Sequence, residues 1–181
     1  MPLAGQEKAE WRARVSLADL VRAVGMAVAC LAAWWLMTFG LVRLVDRPSD
    51  LLGGMWAAIA ASFVFRDTRA GSVQAGMARL FATSVSFALC LPYLLLFPFT
   101  PAGMAALMAI GALVMALLDR RDDIITTTIT TIVVMVVAAI SPAEASLQPL
   151  LRLADTIVGV AVGVGCDWSG SFLLERFTRR G

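Results

Sequence analysis

The stretch of sequence that decides the fold runs from Leu80 to Leu118 and reads LFATSVSFALCLPYLLLFPFTPAGMAALMAIGALVMALL. Its 39 residues contain no Asp, Glu, Lys or Arg. A helix that crosses the hydrocarbon core of a bilayer needs only about 20 apolar residues. Pro98 and Pro101 interrupt the stretch, and proline is typical of the point where two helices separate. The stretch therefore predicts two membrane-spanning helices joined by a tight turn at Phe97–Pro101.

Apolar segments on either side of this stretch predict further spans. Ala23–Val42 and Ile124–Ala143 each hold 20 residues without a charge, which is the length of a span. The last segment, Leu151–Leu174, is interrupted by Asp155 and Asp167 and is the least apolar. Acidic groups inside a span normally face a protein interior or a wet cavity, so this segment is the first place to search for function.

The remaining apolar segment is short. Leu51–Phe65 holds 15 uncharged residues, and by length alone it is either a span or a buried or re-entrant segment. We interpret it as a span, because Trp56 suits a membrane interface and Arg66 can extend its charged end toward water. The predicted parts are a cytoplasmic N-terminal segment (1–22), a six-helix transmembrane domain (23–175) and a cytoplasmic tail (176–181).

Composition agrees with this division. The chain is 60% hydrophobic and 15% charged, with a mean hydropathy of +0.82. No soluble domain of this size needs that much apolar surface. We therefore predict an all-α, polytopic membrane protein with six transmembrane helices.

Two motifs of the same form lie at the mouths of the third and sixth spans. They are Arg79-Leu-Phe-Ala-Thr83 and Arg152-Leu-Ala-Asp-Thr156. Because three spans separate them, the two copies face opposite sides of the membrane. Opposed copies of one element are typical of transporters and channels with inverted repeats, so the sequence predicts a 3+3 inverted repeat.

Basic residues indicate the orientation. With six spans, 12 of the 15 Lys and Arg residues fall on one side and three on the other. Such an asymmetry over short loops is typical of the cytoplasmic side, so both termini are predicted to be cytoplasmic. Met1–Asp19 is too polar for a signal peptide. Trp11–Arg22 is a candidate interfacial helix, with arginines available to anionic lipid headgroups.

Polar residues on the third and sixth spans form the candidate site. Arg79, Thr83, Ser86 and Cys90 lie at i, i+4, i+7 and i+11, on one helical face. A broad face of the sixth span carries Arg152, Asp155, Thr156, Gly159, Gly163, Cys166, Asp167 and Gly170. These faces either line a substrate path or are helix-packing seams with arginines that anchor the ends. Gly159 and Gly163 form a GxxxG pair, which lets another helix approach closely.

The two aspartates leave two interpretations each. Asp155 either pairs with Arg152, one turn away near the external surface, or belongs to the path. Asp167 is either a proton-coupling site or lies near the cytoplasmic interface beside Trp168.

The fifth span carries a threonine run between Thr126 and Thr131. Its hydroxyls can return to carbonyls four residues earlier, so a helix is allowed. They either serve packing or donate to a passing carboxylate.

Composition also excludes several classes of function. The chain has no histidine, and its three cysteines, Cys30, Cys90 and Cys166, lie inside apolar segments. These facts argue against disulfides, His-based catalysis and a metal site. Motifs for binding ATP or dinucleotides are missing, and the basic residues follow the membrane edge. We therefore predict no enzyme, no cofactor, no metal and no nucleic-acid partner.

The quoted motifs carry a family resemblance. Trp56-Ala-Ala-Ile-Ala60, Gly71-Ser-Val-Gln-Ala-Gly76-Met-Ala-Arg79-Leu-Phe-Ala-Thr83 and Arg152-Leu-Ala-Asp-Thr156-Ile-Val-Gly159-Val-Ala-Val-Gly163 resemble the fusaric acid resistance and aromatic acid exporter family. Ala82 replaces a glycine typical of that family. The resemblance implies a six-helix unit that exports organic carboxylates from bacteria, often with a periplasmic adaptor protein. Related plant proteins are dimeric malate channels.

Together these observations predict a bacterial inner-membrane transporter that exports small organic carboxylates, including aromatic ones. Arg79 and Arg152 are predicted to attract anions at opposite mouths, with Thr83 and Thr156 as polar contacts one turn deeper. The alternatives are a passive organic-anion channel and a non-transporting membrane subunit of an efflux assembly. The predicted partners are the lipid bilayer, small organic anions, further copies of the chain in a homo-oligomer and a periplasmic adaptor.

Overall fold

The computed structural model describes residues 17–41, 50–66 and 68–178, and this part of the chain contains helices and no strand. It forms six α-helices: α1 (Leu17–Trp35), α2 (Asp50–Ser62), α3 (Arg69–Leu96), α4 (Pro101–Leu117), α5 (Ile124–Ile140) and α6 (Gln148–Thr178). A π-helical segment, Leu36–Leu41, extends α1. Short 3-10 helices at Arg121–Asp123 and Pro142–Leu147 precede α5 and α6. The prediction of an all-α fold is confirmed.

The helices differ in whether they are long enough to cross a membrane. Four helical stretches have the length and apolar composition of a span: Asp19–Gly40, Arg69–Leu96, Arg121–Ile140 and Ala145–Phe172. Helices α2 and α4 are also apolar but have 13 and 17 residues. At about 1.5 Å per residue they extend only about 20 and 25 Å. Their assignment as spans therefore rests on the sequence pattern.

The outer faces of the helices are apolar. Large aliphatic side chains are strongly exposed there, including Leu96 (75%), Leu117 (77%), Ile125 (71%) and Ile140 (70%). Exposed apolar surface of this extent indicates contact with another apolar phase. The lipid bilayer is the phase that fits helices of this length.

Helix α3 begins earlier than the sequence pattern predicts. It starts at Arg69 rather than near Leu80, and Thr68 caps it by accepting a hydrogen bond from the Gly71 backbone N–H at 3.1 Å. The capped turn continues through small residues into the apolar run without a break. Arg79 therefore lies about 15 Å along the helix. Its predicted place at the mouth of the span is wrong.

The predicted turn between the third and fourth spans is confirmed. Helix α3 ends at Leu96, and Thr100 accepts a hydrogen bond from the Gly103 backbone N–H at 3.0 Å. Pro101 occupies the first turn of α4, where its missing N–H costs nothing. Tyr93 lies 2.9 Å from the Thr100 hydroxyl and ties the turn to α3.

Both predicted domain boundaries fall inside helices. Helix α1 already begins at Leu17, and α6 continues to Thr178. The rest of the candidate interfacial helix, residues 11–16, lies outside the described residues, as do residues 42–49 and 179–181. When Arg79 and Arg152 are set aside because they are buried, the remaining basic residues divide 11 against 2. The asymmetry that predicts cytoplasmic termini is unchanged.

Most helix pairs keep their counterparts when the two halves are exchanged, although the close α1–α6 pair has only a weak counterpart in α3–α4. Helix α6 packs against α1, α2 and α3, while α3 packs against α5, and α5 against α4. When each helix is exchanged for its counterpart three places along the chain, the α1–α2 pair corresponds to α4–α5. In the same way, the α2–α6 pair corresponds to α5–α3. The α3–α6 pair maps onto itself. An inverted repeat requires this relation.

Individual contacts obey the same relation. Arg79, Thr83, Ser86 and Cys90 on α3 have the spacing of Arg152, Thr156, Gly159 and Gly163 on α6, and all eight are buried. The Ser86 hydroxyl donates to the Thr127 carbonyl of α5 at 2.9 Å. Gly159 lies against the Ala57 carbonyl of α2. Helices α3 and α6 themselves run antiparallel, since Ser72 contacts Asp167 while Gly76 lies against Val160.

The GxxxG pair of α6 forms the closest helix contact. Gly159 faces Ala57 and Ala60 of α2, and a Cβ on Gly163 would lie 2.8 Å from the Ala61 carbonyl oxygen. A Cβ at either position would collide with backbone that cannot turn aside. The glycines therefore set the distance between α2 and α6.

Orientation can be tested at two exposed loop residues. Under the predicted topology, Ala143→Cys lies outside and reacts with a membrane-impermeant maleimide in intact cells. Asp122→Cys lies inside and reacts only after permeabilisation. The unsubstituted chain, with its three native cysteines, provides the background. Labelling of Asp122→Cys alone in intact cells would reverse the orientation.

The glycine contact predicts a difference between two substitutions on one helix. Gly159→Ala should destabilise the protein by about 1–3 kcal/mol, because the added methyl group overpacks the contact with α2. Gly165→Ala is the matched control, since nothing lies within 4 Å of its Cβ position. It should be neutral or stabilise by up to about 1 kcal/mol through helix propensity. Thermal unfolding in detergent measures both, and equal midpoints would contradict the packing role.

Candidate functional site

Arg79 is the centre of the candidate site. Its side chain is 2% exposed, and its guanidinium carbon lies 5.0 Å from the ring centre of Trp56 and 4.6 Å from that of Phe63. Among the described residues, none accepts a hydrogen bond from any of its three guanidinium nitrogens. Aromatic faces stabilise a cation but do not satisfy its N–H groups. Arg79 is thus a buried charge whose donors remain available.

The two rings come from one face of α2. Trp56 and Phe63 are seven residues apart, which is two helical turns and about 10 Å. Phe63 continues the last turn of α2, since its N–H donates to the Ile59 carbonyl at 3.3 Å. Sequence reasoning missed Phe63 entirely. The spacing of two aromatics by seven residues is the only signal that could have found it.

Trp56 does not lie at a membrane interface, where the sequence pattern predicts it. It is 2% exposed and lies between α3 and α6. Its indole N–H donates to the Thr156 hydroxyl at 3.1 Å, and that hydroxyl donates to the Arg152 carbonyl at 2.7 Å. One side chain therefore connects Arg79 of α3 to the Arg152–Thr156 turn of α6. The two motifs predicted at opposite mouths lie against the same tryptophan.

Arg152 is neutralised within the protein. Its Nη1 atom lies 3.1 Å from Asp155 Oδ2 and donates to the Leu52 carbonyl at 3.1 Å. The side chains of this ion pair are 2% and 3% exposed. Of the two interpretations of Asp155, the structure favours pairing with Arg152. Arg79 and Arg152 hold equivalent positions, but only Arg152 has a carboxylate.

Other buried polar side chains also have atoms without a hydrogen-bond partner among the described residues: Thr38 Oγ1, Arg152 Nε and Asp155 Oδ2, together with Thr83 and Gln148. The Thr83 hydroxyl, one turn after Arg79, is 1% exposed and has no hydrogen-bond partner among the described residues. Both amide atoms of Gln148, one turn before Arg152, are also buried without a described partner. Gln148 was missed from sequence, although its spacing to Arg152 places it on the same face of α6.

Asp167 lies apart from these groups. It is 12 residues from Asp155, or about 18 Å along α6. The Ser72 hydroxyl, in the first turn of α3, donates to its Oδ2 atom. A small pocket beside it is lined by Arg22 and Arg66. The contact with the first turn of α3 shows that Asp167 lies near one end of that helix. Its cytoplasmic position and its role in proton coupling stay predictions.

The threonine run of α5 serves packing. The hydroxyls of Thr127 and Thr130 donate to carbonyls four residues earlier at 3.0 and 2.8 Å. The Thr131 hydroxyl donates to Ser86 of α3 at 3.1 Å. All four side chains are fully buried. The Thr127 and Thr130 hydroxyls are therefore used within their own helix segment, and the Thr131 hydroxyl is used in the α3–α5 contact, so none of the three is free for an anion.

The helices, their apolar outer faces and the buried polar groups define a multi-pass helical membrane protein. Residues 28–166 match the model of a family described as fusaric acid resistance protein-like. This match covers more than half of the chain, and the protein belongs to that family, which is one of membrane transport and resistance rather than of enzymes. The resemblance inferred from the motifs is thus confirmed. Comparisons with curated proteins and with solved structures found no match.

The hydrogen bond between α2 and α6 predicts coupling between two substitutions. Thr156→Val leaves the buried indole N–H of Trp56 unpaired and should cost about 1–3 kcal/mol. Adding Trp56→Phe removes that N–H, so the double variant should lose less than the sum of the single variants. Unfolding midpoints of all four proteins give the coupling energy.

Thr130→Val is the matched control for this cycle. Its hydroxyl is also fully buried but donates only to its own helix. It should combine additively with Trp56→Phe. Additive behaviour of Thr156→Val as well would show that the bond contributes no stability.

Proposed function

We propose that Arg79 binds the carboxylate of a small organic anion, and that the protein exports such anions across the membrane. The supporting observation is the buried guanidinium that lacks a described acceptor. An uncompensated buried charge costs several kcal/mol, and a membrane interior makes this cost harder to avoid. A carboxylate that reaches Arg79 would remove that cost, which is the condition for selective anion binding.

The surroundings of Arg79 favour a flat organic anion. Trp56 and Phe63 lie against the guanidinium, and its nitrogens have no described acceptor. Once the surrounding helices admit a carboxylate, these nitrogens can donate to it in the bidentate geometry that arginine prefers. The Thr83 hydroxyl, one turn along α3, is a second donor. Aromatic walls beside a charged anchor suit an aromatic carboxylate better than a small inorganic anion.

Burial of the anchor bears on the mechanism. Arg79 and Thr83 are 2% and 1% exposed, so an anion reaches them only after the surrounding helices move. A gated carrier has this property, whereas an open pore does not. The observation therefore supports a transporter over the passive channel. The repeat relation between α3 and α6 supplies two equivalent elements for such alternating motion.

The remaining parts of the proposal come from sequence and family. We place the protein in a bacterial inner membrane with cytoplasmic termini, on the asymmetry of basic residues. We also propose a homo-oligomer and a periplasmic adaptor as partner. An apolar groove of about 690 Å³ between α1 and α6 provides surface for a second copy. Mass measurement in native-like lipid tests the oligomer.

The proposal predicts that Arg79 is required for anion flux. Arg79→Gln should lower initial benzoate flux in proteoliposomes about tenfold to hundredfold, because a hydrogen bond to a charged group is worth about 1.5–3 kcal/mol. Arg79→Lys should retain part of it, since the charge survives without the planar fork. Fluxes are normalised to folded protein and measured with and without a proton gradient.

Arg120→Gln is the matched control. Arg120 also stacks on an aromatic ring, 4.6 Å from Phe81, but it pairs with Asp123 at 2.7 Å near the surface. Its loss should leave flux unchanged. Wild-type flux in Arg79→Gln would refute the anion site. Flux that ignores the proton gradient would favour a channel, and its complete absence in the wild type would favour a non-transporting subunit.

A further inference from the structure

The two copies of the repeat differ at two positions, Phe81 against Ala154 and Ala82 against Asp155, and only the second difference adds a charged group. Aligning Arg79-Leu-Phe-Ala-Thr83 with Arg152-Leu-Ala-Asp-Thr156 places Ala82 opposite Asp155. Both are buried, at 0% and 2% exposed. The arginine and threonine of each motif are identical and buried in both copies. The carboxylate is therefore the chemical feature that one copy has and the other lacks.

The Arg152 copy displays how this fold neutralises an arginine at the repeat position. Asp155, three residues on, reaches the guanidinium at 3.1 Å. Gly53 makes room for the carboxylate, since a Cβ there would lie 3.2 Å from Asp155 Oδ1. In the other copy a methyl group replaces this carboxylate, and a methyl group cannot balance the charge of the arginine.

We propose that Asp155 is a built-in counterpart of the transported carboxylate, and that Ala82 determines specificity by leaving Arg79 without an internal one. This inference rests on the proposed function and names the group that Arg79 recognises. That group is a carboxylate, the same group that the aspartate side chain carries. It also explains why only one of the two arginines serves as an anion site: Arg152 is already occupied by the protein itself.

In this proposal the Arg79 motif binds the anion, whereas the arginine of the Arg152 motif already has a carboxylate of the protein beside it. Trp56 connects them, since it stacks on Arg79 and donates to Thr156. A carboxylate introduced beside Arg79 should prevent anion binding at that arginine. Removal of the carboxylate beside Arg152 should allow an anion to bind there. Exchange of residues 82 and 155 should then move the anion site from α3 to α6.

The first experiment adds the carboxylate. In Ala82→Asp, the new side chain should pair with Arg79 and raise the unfolding midpoint. The rise in midpoint that benzoate gives the wild type should disappear, and benzoate flux should fall at least tenfold. Ala82→Asn adds the same bulk without charge and should lose much less of both. Benzyl alcohol and inorganic phosphate, which lack a carboxylate, should stabilise none of these proteins.

The second experiment removes the carboxylate and does not depend on how Ala82→Asp folds. Asp155→Ala leaves Arg152 unpaired and should lower the midpoint. Acetate supplies the lost carboxylate, so it should raise the unfolding midpoint of Asp155→Ala by more than it raises the midpoint of the wild type. The double variant Ala82→Asp with Asp155→Ala should regain carboxylate-dependent stabilisation.

The outcomes separate this inference from the proposed function. Any of three results would overturn the role of the internal carboxylate. Ala82→Asp and Ala82→Asn lose equal amounts of benzoate flux and stabilisation, Ala82→Asp still binds benzoate fully, or acetate does not restore the midpoint of Asp155→Ala. Stabilisation by phosphate equal to that by benzoate would overturn the ligand class. These results leave the anion site standing as long as Arg79→Gln abolishes flux, whereas normal flux in Arg79→Gln removes both.

Discussion

The close contact between α2 and α6 at Gly159 and Gly163 is the constraint on which the rest of the site depends. Because the helices touch through backbone, Trp56 reaches Thr156 and the Leu52 carbonyl reaches Arg152. A wider separation would break both bonds and leave more buried donors unpaired. The position of Trp56 in turn fixes the ring on which Arg79 stacks. Packing of small residues thus determines where charge can be held inside the membrane domain.

The repeat places two arginines in similar surroundings, and the function that we propose gives them different roles. The helix pairs and the contacts at Ser86 and Gly159 keep the relation between the halves. Side-chain chemistry has diverged over the same frame: α5 contacts α3 through threonine hydroxyls, whereas α2 contacts α6 through alanines. In one half, the α3–α5 contact is polar and lies beside the unpaired cation of Arg79. In the other half, the α2–α6 contact is a close contact of small residues and lies beside the Arg152–Asp155 ion pair.

Much of the fold could be predicted from sequence, because charge-free runs and prolines report directly on spans and turns. The early start of α3 could not, since the mixed residues after Thr68 are not apolar enough to predict a span and their helix begins at a cap. Trp56 was placed at an interface because its indole usually prefers one, and only tertiary contacts bury it. The ion pair of Arg152 followed from spacing. Arg79 is unpaired because the described residues around it offer no hydrogen-bond acceptor, and a local sequence pattern does not show this.

The 13 residues of α2 extend about 20 Å, against a hydrocarbon core of about 30 Å. Where a helix this short spans a bilayer, lipid headgroups and water are drawn inward around it. Under the predicted six-span topology, the transmembrane voltage would then fall over a thinner layer near Arg79, which stacks on Trp56 of α2. An inside-negative voltage favours outward movement of an anion by about 2.3 kcal/mol per charge for each 100 mV. For the anion export that we propose, electrical energy would thus give direction to transport.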